Sequence, residues 1–493
     1  MKGPNLLFIF TDEQRADTLS AYGNHHIHTP HLDRLASESV LFEKCYVTQP
    51  VSTPSRSSIM TGLYPHANGC TQNNVPLADG TPCITEFLSG YRPAYFGKWH
   101  LGDEIFSQHG FEHWVSIEDM YLPYYRNGRD RSERSTYHHW LVDKGYAPDF
   151  QDEDAGGPGQ FSRRMAAGLP EEHGKPAFLA REVCQWLEAR THDQPFIGYV
   201  NFLEPHMPFT GPRDDQYPPG EVALPPNFDH IPDKMNHPKA RMLYERYKCG
   251  FGGQPLDSEA GWRRVIANYW GLVSQVDTAV GAILQALRSH GFADNTIIVF
   301  TSDHGDMMGS HRLLAKSVMF QEAITVPCFI KVPRVAPRRE ARNISQIDLA
   351  PTLLDLLGQP IPPEMQGQSL RPLIERGHPP EREDVFVEWN GSDCGIEQLE
   401  QSRDVPDYLA HLGTCEELAA AIRDPIRTVI TPDGMKLNYS PVLGHHGLYN
   451  LSEDPYETNN LYGQPRYSPR MEDLKERIRA WGVRVGDEVA AAI

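Results

Sequence analysis

At 493 residues the chain is long enough to bury one large hydrophobic core and a smaller second one. Its formal charge of −19 excludes nucleic acid as the main partner, because phosphate binding runs on an excess of Lys and Arg. The same charge requires that an anionic substrate be held by a local positive site, against the field of the whole molecule.

Taken in chain order, short apolar runs alternate with helix-like segments. Leu6 to Phe10, Ala94 to Phe96, Phe196 to Phe202 and Ile297 to Phe300 read as buried strands, while Ala180 to Ala189, Trp262 to Arg288 and Ile347 to Leu357 carry helical apolar spacing. This alternation predicts an α/β fold, a large mostly parallel sheet with helices on both faces. The Pro-rich Gln359-Pro360-Ile361-Pro362-Pro363 is a natural exit from it. Beyond residue 375, Val385 to Glu388 and Arg427 to Leu437 read as short β runs with a turn at Pro432-Asp433-Gly434, and Met471 to Val485 as a closing helix. The expected organisation is a catalytic domain over 1–375 and a smaller C-terminal α+β domain with an antiparallel sheet over 376–493. Stretches at about 115–175 and 204–260, rich in Pro, Gly and charge, read as loops that shape a site.

The eight cysteines are scattered and contain no CxxC pair, so free, mostly buried thiols are expected rather than a zinc cluster or a disulfide framework. No apolar run reaches the roughly 18 residues needed to cross a membrane. The apolar stretch after Met1-Lys2-Gly3-Pro4 is too short for a secretory leader. A cytoplasmic protein with no membrane partner is expected, or an exported one if a leader has been trimmed.

Four of the strands run directly into reactive residues: Thr11-Asp12-Glu13, Gly97-Lys98-Trp99-His100, Glu204-Pro205-His206 and Thr301-Ser302-Asp303-His304. In an open parallel sheet, sites form outside the carboxyl ends of the strands, so these clusters are expected to converge. Asp12, Glu13, Asp303 and His304 form an oxygen-rich set suited to Ca²⁺, Mg²⁺ or Mn²⁺ rather than zinc. In Ser52-Thr53-Pro54-Ser55-Arg56, Pro54 suits a first helical turn with Ser52 just before it. Such a helix start, with Arg56 one turn in, suits a tetrahedral anion.

The segment Ser52 to Gly62 resembles the signature of the sulfatases, in the alkaline-phosphatase-like superfamily: Cys or Ser, any residue, Pro, Ser, Arg, then a short helix ending in Thr-Gly. The resemblance extends through Thr29-Pro30-His31-Leu32-Asp33-Arg34, Gly97-Lys98-Trp99-His100-Leu101-Gly102, Pro205-His206-Met207-Pro208-Phe209, Thr301 to Asp306, Ala315-Lys316 and Leu448-Tyr449-Asn450-Leu451. It implies an alkaline-phosphatase-like fold, and conversion of Ser52 to formylglycine by a maturation enzyme. The hydrated aldehyde attacks sulfur, and its second hydroxyl lets sulfate leave, which a plain serine lacks. The metal ligands implied are Asp12, Glu13, Asp303, His304 and the modified Ser52. Glu13 departs from the family, which usually has Asp or, in some branches, Gln at this place. By the same resemblance Arg56 steadies the nucleophile, Lys98 and Lys316 neutralise the sulfuryl oxygens, His206 is the general acid, and His100 is the base for sulfate release. Asn73 contacts the sulfuryl group.

The expected substrate is a small-molecule or oligosaccharide sulfate ester, a carbohydrate sulfate by preference because the long insertions can build a sugar-sized pocket. Two alternatives stand beside it. One is a phosphonate monoester or phosphodiester hydrolase of the same superfamily, a branch that lacks the Lys-x-His pair present here as Lys98 and His100. The other is a non-catalytic binder of sulfated glycans with Ser52 unconverted. His25, His26, His28 and His31 flank Thr29-Pro30, which reads as a helix start rather than a metal site. Arg126, Arg129, Arg131, Arg134, Arg163 and Arg164 read first as a solvated charged surface.

Overall fold

The structure, a computed structural model, describes residues 3–150, 159–391 and 404–493. Eight strands form the large sheet: β1 (Asn5–Asp12), β2 (Val40–Tyr46), β3 (Arg92–Gly97), β4 (His113–Val115), β5 (Phe196–Pro205), β6 (Thr296–Ser302), β7 (Thr325–Lys331) and β8 (Arg338–Ser345). Their order is β4-β3-β5-β1-β6-β7-β2-β8. β1 is central, parallel to β5 on one side and β6 on the other, and all eight of its residues are buried. A strand covered on both faces carries a continuous apolar run instead of an alternating one, as Leu6-Leu7-Phe8-Ile9-Phe10 does.

The sheet is mostly parallel, as expected, but not throughout. β7 runs antiparallel to both β6 and β2. The helices Lys175–Glu188 and Glu259–Ser289 pack on each other and against β5. In the second of these, Trp262, Ile266, Tyr269, Val273, Val276, Val280, Ile283 and Leu287 are buried at steps of three and four, and its middle, from Val265 to Asp277, is buried all round.

Four further strands, β9 (Val385–Glu388), β10 (Arg427–Ile430), β11 (Met435–Tyr439) and β12 (Gly447–Asn450), form a separate antiparallel sheet in the order β12-β11-β10-β9. The β10–β11 turn falls at Pro432-Asp433-Gly434, where Gly434 takes φ 84°, a conformation that favours glycine. The closing helix, Ser468–Val485, lays Leu474, Ile478 and Trp481 on this sheet in a second core with Phe386, Val429, Leu437 and Leu448. Trp481 stacks on Phe386 with ring centroids 4.9 Å apart. Each large side chain buried this way contributes roughly 1.5–3 kcal/mol.

Among the described residues the cysteines are free, with Cys45, Cys70, Cys83 and Cys328 buried; Cys394 lies outside the described residues. No helix among them is long and apolar enough to cross a membrane.

Candidate active site

Because β1, β3, β5 and β6 are parallel neighbours, their carboxyl ends share one edge of the sheet. Glu13, Lys98, His206 and Asp303 are each the first residue beyond its strand. The four sequence clusters therefore converge, although they span nearly the first two thirds of the chain. The backbone is bent to place them. Glu13 (φ 66°), His100 (φ 56°), and Ala315 (φ 60°) and Ser317 (φ 75°) on either side of Lys316 all adopt left-handed conformations. Non-glycine residues take these at a cost, and they concentrate at functional sites. Gly97 (φ 112°) must be glycine for a second reason: a Cβ there would collide with the carbonyl oxygen of Asn201 on β5.

The helix Ser52–Thr61 enters this edge from the side, with all ten of its residues buried. It opens one step earlier than expected, since Ser52 is its first residue and extended Val51 (φ −152°, ψ 144°) stands before it. The free amide of Thr53 is satisfied by Asn73 Oδ1 at 3.0 Å. That contact places the Asn73 oxygen against the helix start.

Arg56, one turn into the helix, is 1% exposed and uses its whole fork. Nε donates to Asp303 Oδ2 (2.9 Å), Nη2 to Asp12 Oδ2 (2.8 Å) and Nη1 to the carbonyl of Lys98 (2.9 Å). Lys98 Nζ also reaches Asp12 Oδ2, at 2.5 Å. Lys316 Nζ lies 2.8 Å from Glu13 Oε2, and His206 Nε2 is 3.4 Å from the same oxygen. Three carboxylates thus face three permanent cations in a buried volume.

His304 completes the set. Its Nδ1 donates to the carbonyl of Gly305 (2.9 Å), which fixes the tautomer and leaves Nε2 with a lone pair. That nitrogen lies 3.0 Å from Ser52 Oγ, 3.8 Å from Asp12 Oδ1 and 3.6 Å from Asp303 Oδ1. Asp303 Oδ1 accepts the amides of Glu13 (3.0 Å) and His304 (2.8 Å). Buried Asp12 Oδ1 and Glu13 Oε1, in contrast, have no hydrogen-bond partner. A buried carboxylate oxygen left unpaired is costly. Here the two residues belong to overlapping groups, Asp12 with Asp303 and His304 and Asp12 with Glu13 and His206, whose ligand atoms lie within 4.8 Å of one another. Oxygens with one imidazole suit a hard divalent cation, so these residues fit the metal that the sequence implies.

The electrostatics agree. Burial alone would raise the Asp12 carboxyl, but Lys98, His206, Arg56 and His304 outweigh it and hold it well below the usual carboxylate range. Glu13 goes the other way: burial pushes it up to about 8, only partly opposed by Lys316. Such a value marks a carboxylate short of positive charge. Burial lowers the Lys98 ammonium, with Asp12 opposing. Burial would also lower Lys316, but Glu13 and Asp12 raise it. His100 is driven well below its ordinary value by burial, Lys98 and Arg56, and His206 by burial and Lys316.

Every residue singled out from the sequence lies at or beside this edge except the flanking histidines and most of the arginines. Pro30 opens the helix Pro30–Ser37, and Thr29 stands at its cap without a side-chain capping bond. Arg126 and Arg129 pair with Asp103. Arg163 alone of the six turns inward, donating to Tyr121 Oη at 2.8 Å. Sequence reasoning missed Tyr121, which stacks on His100 at a centroid distance of 4.4 Å, and Asn74, whose Oδ1 lies 3.0 Å from His100 Nε2. Neither falls in a periodic segment, and only the Asn73-Asn74 pairing gave a signal.

The family model described as Sulfatase matches residues 4–359. An ulvan-active sulfatase from Formosa agariphila is 28% identical, with 98% of this chain and 82% of the relative covered. An N-acetylglucosamine-6-O-sulfatase from Bacteroides thetaiotaomicron is 27% identical, covering 97% and 86%. Among solved structures, a phosphonate monoester hydrolase from Silicibacter pomeroyi superposes with a TM-score of 0.77 at 25% identity, covering 99% of this chain and 96% of that one.

Proposed function

Since the chain belongs to the sulfatase family and is a sulfuric ester hydrolase, we propose that it cleaves a sulfate monoester of a carbohydrate, using a formylglycine made from Ser52 and a divalent ion, Ca²⁺ or else Mg²⁺ or Mn²⁺. The observation that carries this reading is the cluster of Asp12, Asp303 and His304, with His304 Nε2 3.0 Å from Ser52 Oγ and buried oxygens of Asp12 and Glu13 unpaired. The choice of a carbohydrate leans on the two relatives, an ulvan-active sulfatase and an N-acetylglucosamine-6-O-sulfatase.

Asp12, Glu13, Asp303 and His304 would hold the ion, and a separate maturation enzyme would convert Ser52. A bound divalent ion supplies positive charge for the nucleophile and for the sulfuryl oxygens, and the formylglycine supplies the attacking oxygen. The other steps belong to side chains already in place. Arg56 holds Asp12 and Asp303 in fixed orientation and stabilises negative charge at position 52. Lys98 and Lys316 neutralise the sulfuryl group in the transition state. His206 protonates the departing alcohol; the negative charge of a bound ester favours the imidazolium that the empty site disfavours. His100 takes up a proton as sulfate is released.

A phosphonate monoester carries the same single charge as a sulfate monoester, and the fold match to such a hydrolase makes it the reading to separate.

The test is a parallel assay of an aryl sulfate, a sugar sulfate, a phosphodiester and a phosphonate monoester. The wild type should prefer sulfate, and Lys98→Ala should lower kcat/KM on aryl sulfate by roughly 10²-fold. His206→Ala should harm the sugar sulfate far more than the aryl ester, whose leaving group scarcely needs a proton. Preference for either phosphorus ester, with Lys98 dispensable, would establish the other reading.

A further inference from the structure

The insertion between β4 and β5 sends one side chain into the site. Tyr121 lays its ring on His100, 4.4 Å between centroids at 32°, and the same ring lies 5.9 Å from Lys98 Nζ. The phenol is tied down in turn. Arg163 Nη2 donates to its oxygen at 2.8 Å, and Arg163 Nε donates to Glu118 Oε2 at 2.7 Å. Glu118 is buried and also pairs with Lys175, so the chain of contacts ends in the helix Lys175–Glu188.

His100 is clamped on its other sides. Its backbone amide and that of Trp99 donate to the two oxygens of Glu104, at 2.6 and 2.7 Å, which hold the left-handed turn. Asn74 Oδ1 lies 3.0 Å from Nε2. An amide oxygen only accepts, so Nε2 carries the proton of the neutral ring and Nδ1 is left bare. Nδ1 is buried and has no hydrogen-bond partner, the state required of a base awaiting a proton.

We propose that Tyr121, anchored by Arg163, is a positioning residue that holds His100 in its working orientation, and that it acts mainly in the half of the reaction in which sulfate leaves. The proposal rests on His100 being the base for that half. A ring packed at a tilt against an imidazole limits its swing about the side-chain torsions, and misplacement of a reacting group by about 1 Å costs up to 10²-fold in rate.

The test uses the matured, metal-loaded enzyme and an aryl sulfate, read by stopped flow and at steady state. Tyr121→Leu should lower kcat by about tenfold without raising KM. The first turnover should stay fast, so that a burst of one alcohol per site precedes slow turnover. Tyr121→Phe keeps the ring and should stay within about threefold of wild type. Arg163→Gln frees the ring and should give a smaller version of the Leu effect, which carries the test should Tyr121→Leu not fold. Wild-type kcat in Tyr121→Leu or, if that protein is not obtained, in Arg163→Gln would overturn the proposal. So would loss of the first turnover in step with kcat, which is the mark of a general structural role. His100→Ala separates the premise: if its kcat is unchanged, the assignment of His100 has failed, whereas a large loss there with no loss at Tyr121 removes only the positioning role.

Discussion

At the start of β10, Arg427 is buried with Asp487 and Glu388 beside half-buried His66; at the edge of the large sheet, Arg56 is buried with Asp12, Asp303 and His304. The residue types are nearly the same. In the first cluster every charged atom is engaged. Arg427 Nε and Nη2 hold the two oxygens of Asp487 (2.5 and 3.2 Å), Nη1 donates to the carbonyl of Trp389, and Glu388 accepts the amide (3.1 Å) and Nδ1 (2.8 Å) of His66. In the second, Asp12 Oδ1 and Glu13 Oε1 are left over. Burying charge is tolerable only when it is paired and hydrogen-bonded. The saturated cluster joins parts of the fold, and the unsaturated one keeps oxygens available to a ligand. Carboxylate and imidazole clusters of similar composition therefore have different meanings according to whether their oxygens are already taken.

Substitutions should separate the clusters. The largest effect is expected for Asp303→Ala, which removes a carboxylate shared by the metal set and Arg56. Turnover should fall by roughly 10³-fold or more, and metal analysis should show loss of the bound ion, with the protein still folded. Full turnover with an empty site would break the comparison at its active end.

Arg427→Met tests the other end. It strands Asp487 and Glu388 without their cation and should destabilise the protein by about 3–5 kcal/mol in urea titration, while folded enzyme keeps its kcat and its metal. A loss of metal in that variant would mean that the clusters are not independent.

The smallest effect is a pH dependence at His66. Burial would lower this imidazole, but Glu388 and Asp487 outweigh it and raise it above its ordinary 6.5. A raised folded-state value means that the charged ring is favoured in the fold. Its contribution to stability is then complete below 6.5 and fades as the pH climbs through the raised value. The stability gap between wild type and His66→Gln should narrow from pH 6 to pH 9, and a gap that widened would contradict the assignment.

Much of this was legible in the sequence, for identifiable reasons. Strands β1, β3, β5 and β6 are buried on both faces, so their apolar runs stand out, and in each the first reactive residue follows where the run stops. β8 was not legible. It is an edge strand whose Arg338, Arg339, Glu340 and Arg342 interrupt any apolar run, since charge on an edge is how a sheet avoids further pairing. β7 carries Pro327 within its run, which argues against a sheet interior, and its antiparallel direction has no sequence signature. At the site, the metal-set residues and Lys98, His100, His206 and Lys316 were found through motifs. Tyr121 and Asn74 were not, because their roles depend on how an irregular insertion folds back over His100. Glu13 was legible as an exception, and the structure gives it a setting: its extra methylene leaves one oxygen between Lys316 and His206 while the other remains unpaired.

The central claim is that this enzyme works through a converted Ser52, and a mass measurement on that residue tests it directly. Trypsin should release Cys45 to Arg56 as one peptide from enzyme purified with its maturation partner and shown to hydrolyse sulfate esters. The account predicts a peptide two hydrogens lighter than the encoded sequence, or its hydrazide adduct, in proportion to activity. Full sulfatase activity from protein carrying only unmodified serine at that position would contradict it.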